Sequence, residues 1–301
     1  MTHADLLSHP NPAATYTEAA RRIEAWDAEA SPDTLAAGRL RFLSHGQRAE
    51  RAVVFVHGYT SCCQQFEQLG QMFYERGYNV LIAPLPYHGL ADKMTPLQAE
   101  ILAGDLAAYG DRAVDIAQGL GNAVSVAGLS MGGVIAAWVG QYRRDVSLAA
   151  LIAPALGFYV IPAPLTPLGA RALLRLRNRF LWWDPVRKAD NGFSYGYPRY
   201  ATRTLGEMMS LGLSVQRRAR TSPPAARDLV LVTNANDFAV NNTVATGLAR
   251  AWQRQGAKVR AFEFPASLGL PHDLINPEQP AQRVDVVYPK LVELMDTESH
   301  V

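Results

Sequence analysis

The 301-residue chain has only two cysteines, Cys62 and Cys63, and they are adjacent. Neighbouring cysteines make a poor disulfide pair, and two of them do not make a metal site. A cross-linked secreted scaffold and a cysteine-held metal centre are therefore not expected. Both residues read as reduced thiols in an intracellular, cytoplasmic protein. No apolar run approaches the roughly 20 residues needed to cross a bilayer. The first residues, MTHADLLSHPNPAA, bring an acid early and no continuous apolar stretch, unlike a secretory signal. Internal repeats and low-complexity tracts are missing too. Strong net charge is also missing: the balance is +2, with 19% charged residues. What is present is 49% hydrophobic residues, enough for a large core in one globular domain or a domain with an insertion.

The near-neutral total hides an asymmetry. Residues 155–225 hold eleven Lys or Arg against three Asp or Glu, so a basic segment interrupts a mildly acidic chain.

Apolar spacing predicts a helix over 15–30. RLRFLSHG (39–46) alternates like a half-exposed strand. AVVFVHG (52–58) is a β-branched run typical of a buried strand. A helical period follows over 62–77, with Gly77 suited to its C-terminal cap. NVLIAPL (79–85) predicts a strand and 96–121 a long helix. AVSVAGL (123–129), MGGVIAAWVGQYRR (131–144) and LAALIAPAL (148–156) predict strand, helix and strand. The rhythm breaks over 157–225, which shows no clear strand. It resumes with LVLVTNAND (229–237), a helix near 242–255, KVRAFEF (258–264) and a last helix near 284–296. Strands apolar on both faces, alternating with helices, predict a mostly parallel sheet covered on both sides. The domain parse is a core over 1–154, an insertion over 155–225 and the rest of the core over 226–301.

Ser130 lies in AGLSMGG, between a strand ending at Leu129 and a helix beginning near Met131. A tight strand-to-helix turn pushes one side chain out above a sheet. Its apex is strained, and side chains two residues before and two after would clash, which suits Gly128 and Gly132. The free N–H groups and positive dipole end of the helix favour developing negative charge. The pattern is that of the G-x-S-x-G nucleophile elbow of α/β-hydrolases. A plain turn or a phosphate loop is the competing reading of the pentapeptide.

A serine hydroxyl is a weak nucleophile and needs a base, which in turn needs an orienting acid. In this fold the chain order is Ser, then Asp or Glu, then His. Two histidines follow Ser130: His300, penultimate in a polar tail, and His272, in a loop between the last strand and the last helix. His272 is the expected base. Asp237, just past the strand 229–237, is the expected acid. Asp184, Asp190 and Glu207 lie in the insertion, Asp228 at the wrong end of its strand, and Asp273 beside His272 itself. The oxyanion donors are expected to be the N–H groups of Met131 and Tyr59; the loop at 57–60 has no HGGG run. His57 and His88 read as structural histidines. Cys62 and Cys63 read as packing residues, with Cys62 near enough to that loop to report on thiol reagents.

With HGYT, PLPYHGLAD, GLSMGG, ND and PHD in place, the chain resembles the α/β-hydrolase superfamily over nearly its whole length. Within it, the bacterial carboxylesterase, monoacylglycerol lipase and serine-aminopeptidase-like group is nearest in pattern. The resemblance implies a triad of Ser130, Asp237 and His272, an oxyanion hole of Tyr59 and Met131, and a helical cap inserted after the sixth strand. Tyr87-His88-Gly89 stands where the group often has Gly-His-Gly. The expected activity is cleavage of carboxylic esters through an acyl-enzyme, with no metal or other cofactor and no nucleic-acid partner. The substrate is expected to be a small-molecule ester with an apolar acyl chain. A serine at the elbow argues against haloalkane dehalogenases and epoxide hydrolases, which need aspartate there. Amidase, peptidase or thioesterase activity on the same triad stays open, as does a non-catalytic binding protein of this fold; a fluorophosphonate probe separates the last. Oligomeric state is not readable.

In the insertion, LGARALLRLRNRFLWWDP predicts a helix with Arg171, Arg175 and Arg179 on one face and Leu173, Leu176 and Phe180 on another. One reading has the apolar face cover the active site while the arginines meet water. The other has the arginines and Trp182–Trp183 touch an anionic lipid surface.

Overall fold

The structure, a computed structural model, describes residues 6–188 and 194–296. The apolar runs form strands that are mostly buried in the middle of the sheet and half-exposed at its two edges. The first is β1 (Arg41–Leu43), then β2 (Ala49–Val56), β3 (Tyr78–Ile82), β4 (Gly121–Leu129) and β5 (Leu148–Ile152). The inserted segment adds two short strands, β6 (Phe180–Trp182) and β7 (Arg199–Ala201). The core resumes with β8 (Asp228–Asn234) and β9 (Val259–Phe264). Among the described residues the main sheet has seven strands in the order β1-β3-β2-β4-β5-β8-β9. Only β1 runs antiparallel to its neighbour. The expected doubly covered parallel sheet is therefore present.

The period-2 alternation sorts the side chains. Val54, Val56, Val124, Val126, Leu229 and Leu231 face one core, while Val53, Phe55, Ala127, Leu129, Val230 and Val232 face the other. The first face is covered by α1 (Tyr16–Ala28), α3 (Ala103–Leu120), α4 (Met131–Tyr142) and α7 (Asn242–Arg254). The second is covered by α2 (Glu67–Tyr74) and α8 (Val284–Met295). The stretch predicted as one helix over 96–121 is in two pieces, a 3-10 turn at Leu97–Glu100 and then α3, because Ile101 and Leu102 are extended.

The inserted segment departs from the expectation in three ways. It follows the fifth strand of this chain rather than the sixth, because a single strand precedes β2. It contains the antiparallel pair β6–β7, with Phe180 opposite Ala201. It also contains a long helix, α6 (Thr202–Ala219), whose Glu207 accepts the Ala103 N–H at 3.1 Å and so caps α3. The predicted amphipathic helix α5 spans only Thr166–Arg175, with Leu176 extended. Arg179 and Phe180 are therefore not on it. Arg179 instead exchanges hydrogen bonds with Thr202, so that strand pairing overrides the helical spacing.

Candidate active site

Strand β4 carries the chain straight into α4, and Ser130 is the single residue between them. Its φ of 56° and ψ of −111° lie in a region an L-residue seldom adopts. Surrounding bonds hold it there. Ser130 N–H donates to Ile152 O at 2.9 Å, and Ser130 O accepts from Val134 and Ala155, both at 3.1 Å. A Cβ on Gly128 would sit 2.1 Å from Gly132 O, and one on Gly132 would sit 2.0 Å from Val56 O. No side chain fits at either place, as the spacing predicted.

Asp237 lies just past β8 and is buried. Its Oδ2 meets His272 Nδ1 at 2.7 Å. Its Oδ1 accepts the N–H groups of Ala239 at 2.8 Å and Val240 at 3.1 Å. Burial alone would raise the Asp237 pKa; the imidazole and the two backbone donors outweigh it and hold it below the ordinary value. Burial likewise works against charge on His272, but the Asp237 carboxylate prevails and raises the imidazole pKa. The His272 side chain keeps 25% of its surface, on the cavity that Ser130 also lines. Two residues without a motif place this loop. Asn234 Nδ2 donates to Leu270 O at 2.9 Å and Pro271 O at 3.1 Å, and Asn236 Nδ2 donates to Leu270 O at 3.1 Å.

Among the described residues, it is Asp237 and none of the competing acids that is bonded to the His272 ring. Asp184 caps the N–H groups of Val186 and Arg187, and Asp228 opens β8 at the far end of the sheet. Asp273 accepts from Asn276 Nδ2 at 3.2 Å. Asp190 and His300 lie outside the described residues.

The loop after β2 is fixed bond by bond. Gly58 O meets both His57 Nδ1, at 2.9 Å, and the Ser61 N–H, at 3.2 Å. The Tyr59 N–H belongs to that same peptide and points the opposite way. Its neighbours are used: Gly58 N–H donates to Gln65 Oε1 at 2.8 Å, and Thr60 N–H donates to His88 Nε2 at 3.1 Å. Among the described residues no protein acceptor takes the Tyr59 N–H. Met131 is the first residue of α4, where an N–H has no intrahelical partner. Among the described residues, both N–H groups named from the sequence are thus without a protein acceptor.

His57 and His88 are buried structural groups. The Leu85 N–H donates to His57 Nε2 at 3.0 Å, so His57 Nδ1 carries the proton given to Gly58 O. His88 is likewise protonated at Nδ1, which faces Pro86 O at 2.8 Å. Burial keeps both neutral, with pKa values lowered to about 3 for His57 and about 4 for His88. Cys62 and Cys63 are free and buried. The Cys62 thiol faces Ala37 O at 3.1 Å and is pushed up by burial to about 12, so it is a poor target for thiol reagents.

Ser130 and His272 open on a cavity of about 930 Å³. One wall is apolar, with Phe158, Ile161, Leu173, Leu205, Met208 and Val240. The wall beside His272 is polar, with Asn236, Asp273, Glu278 and Gln279. Trp183, Tyr197 and Tyr200 of the inserted segment also line it. No group of three or more His, Cys, Asp or Glu among the described residues is placed to hold a metal ion.

A sequence model of the family described as Serine aminopeptidase, S33 (Hydrolase_4) matches residues 47–264. No curated protein sequence matches the chain. Among solved structures, one from work on the metagenome-derived lipolytic enzymes LipS and LipT is similar, with a TM-score of 0.62 at 16% identity, covering 87% of this chain and 98% of that one. The monoacylglycerol lipase of Paleococcus ferrophilus gives 0.60 at 16% identity, over 85% and 96% of the two chains. A soluble variant of the monoglyceride lipase from Saccharomyces cerevisiae, in complex with a substrate analog, gives 0.62 at 12% identity, over 87% and 92%. At these identities the likeness is one of fold.

Proposed function

The chain belongs to the serine aminopeptidase S33 family of α/β-hydrolases, and on that premise we propose that it is a serine hydrolase of carboxylic esters working through an acyl-enzyme. The observation that carries this reading is the Asp237–His272 pair at 2.7 Å, opening on the same cavity as the strained Ser130. His272 takes the Ser130 proton as the hydroxyl attacks the ester carbonyl. Asp237 holds the imidazole and steadies the imidazolium that forms. The N–H groups of Tyr59 and Met131 receive the oxyanion. His272 then protonates the departing alcohol, and a water activated by the same base releases the acid. No metal or organic cofactor enters these steps.

The apolar wall suits an acyl chain longer than acetyl, and residues 155–225, between core parts 1–154 and 226–301, act as the cap that carries much of that wall. The lipolytic activity named for the similar structures supports an ester rather than an amide; the family description keeps the amide reading alive. A fluorophosphonate probe should label Ser130, and p-nitrophenyl esters from acetate to palmitate should outrun aminopeptidase substrates. A protein that does not label, or that cleaves only amides, sinks the ester reading.

The outward face of α5 favours a second reading, contact with an anionic lipid surface. Leu168 on α5 and Leu165 and Leu176 at its two ends are exposed, as are Arg171, Arg175 and Arg177. Apolar side chains flanked by arginines fit the interface of an anionic bilayer. Activity on anionic vesicles should exceed activity on dissolved ester at low salt, and the gain should fade as salt screens the arginines. Equal rates at low salt refute the contact. No helix among the described residues is long and apolar enough to cross a membrane. With both thiols free, the proposed location is the cytoplasm.

A further inference from the structure

Thr60 has a positive φ of 65°, a conformation that a β-branched residue avoids. Every polar atom it has is engaged. Its N–H is given to His88, and its carbonyl accepts the Tyr197 N–H at 2.8 Å. Its hydroxyl donates to Tyr59 O at 2.6 Å and accepts the Trp183 indole N–H at 2.8 Å. Tyr59 is held in the same way: its phenol donates to Gln98 Oε1 at 2.7 Å and accepts the Ala201 N–H at 3.0 Å. Three of these partners, Trp183, Tyr197 and Ala201, come from the inserted segment. Trp183 also leans on Tyr200, with ring centroids 4.3 Å apart, and lines the cavity.

We propose that Trp183 is a positioning residue of the oxyanion hole, holding Thr60 in its strained turn so that the Tyr59 N–H faces the reacting carbonyl. The proposal rests on the hydrolase reading of Ser130 and of the Tyr59 N–H. The chain of cause is short. The indole fixes the Thr60 hydroxyl, and the hydroxyl fixes the carbonyl of Tyr59, the residue whose N–H is the donor. Tyr197 clamps Thr60 from the other side, through the Thr60 carbonyl. The hole is therefore complete only while the inserted segment is seated on this loop. A side chain that both borders the substrate and orients the donor couples the fit of the substrate to the rate of the chemistry.

The test is Trp183→Phe, which keeps a ring against Tyr200 and removes only the N–H donor and part of the indole. The expected result is a fall in kcat of roughly tenfold with KM little changed, a fraction of the ~100–1,000-fold that deleting an oxyanion donor costs. Affinity for a trifluoromethyl ketone, which mimics the tetrahedral oxyanion, should fall by the same factor as kcat. Thr60→Val, which removes the hydroxyl and both of its hydrogen bonds at nearly constant shape, should lose at least as much by both measures. The double variant should be no worse than Thr60→Val alone, since the indole acts only through the hydroxyl that this variant removes. Wild-type kcat and ketone affinity in both variants would overturn the proposal. So would a loss confined to KM, which makes the indole a wall only, or losses that multiply in the double variant. A wild-type chain unlabelled by fluorophosphonate would instead overturn the hydrolase reading, and this proposal with it.

Discussion

Helix α4 has two ends of opposite character. Its N-terminus holds Ser130, on a strained backbone beside an open cavity. Its C-cap is Arg143, fully buried, which meets Asp111 at 2.9 Å and Asp115 and Asp145 at 2.7 Å each. Asp111 also takes the Ser8 hydroxyl at 2.5 Å and the His9 N–H at 2.6 Å, and Asp115 takes the Asn11 N–H at 3.0 Å. The helix dipole favours negative charge at the first end and positive charge at the second. At the second end the charge is permanent and every neighbour is paired with it, so the cluster pins the N-terminal segment to α3. On the proposed mechanism the charge at the first end is transient, and the donors that meet it stand unpaired until substrate arrives. The difference separates two uses of buried polar groups. The saturated cluster fixes shape, and on the proposed mechanism the unsaturated donors at the elbow do chemistry.

Four measurements bear on that division. Ser130→Ala should lower kcat on the order of 10⁴-fold or more, since triad members act as a unit, with a thermal midpoint close to wild type. A near wild-type rate would remove Ser130 from the reaction. Asp237→Asn should cost on the order of 10³- to 10⁴-fold in kcat, because the imidazole loses its orienting charge. Asp273→Asn should be much milder, and a reversed pair of results would move the acid to Asp273. Arg143→Met should act in the other currency, destabilising by about 3–5 kcal/mol because three carboxylates lose their partner. Its kcat under folding conditions should stay near wild type; a collapse of kcat without loss of stability would break the contrast between the two ends. The smallest effect is the pH dependence. His272 must be neutral to accept a proton, and its pKa is raised against burial chiefly by Asp237. Activity should therefore rise with pH through a value above that of an ordinary imidazole. The stability that the His272–Asp237 pair adds is present below the unfolded-state imidazole pKa and is lost as pH climbs through the folded one. Unfolding midpoints across that range should show the loss in wild type and not in Asp237→Asn.

The core was legible in the sequence because parallel strands covered on both faces must be apolar at every position, as Val53–Val56 and Leu229–Val232 are. The elbow was legible because its glycines answer to contacts within a few residues. The pairing of Asp237 with His272 was legible because the resemblance sets their chain order and both follow strands. Other features rest on contacts that no local pattern encodes. Helix α6 was hidden by Gly206 and Gly212, which interrupt its apolar rhythm. The β6–β7 pair consists of strands of three residues each that gain definition only from one another. Asn234, Gln65 and Thr60 serve the site through bonds to distant loops. Arg143 draws its partners from Asp111, Asp115 and Asp145, and only Asp145 is near it in sequence.

The sealing of Cys62 and Cys63 makes the chain a silent background for spectroscopy. Both thiols are buried, and burial holds both in the protonated, unreactive form. A single cysteine placed at Leu176, which is 69% exposed at the end of α5, would take a maleimide dye almost alone. A polarity-sensitive dye at that point would shift its emission to the blue on anionic vesicles if the outward face of α5 enters a bilayer. The same dye with a quencher on the core would time the seating of the inserted segment, without removing any native side chain that touches the reaction.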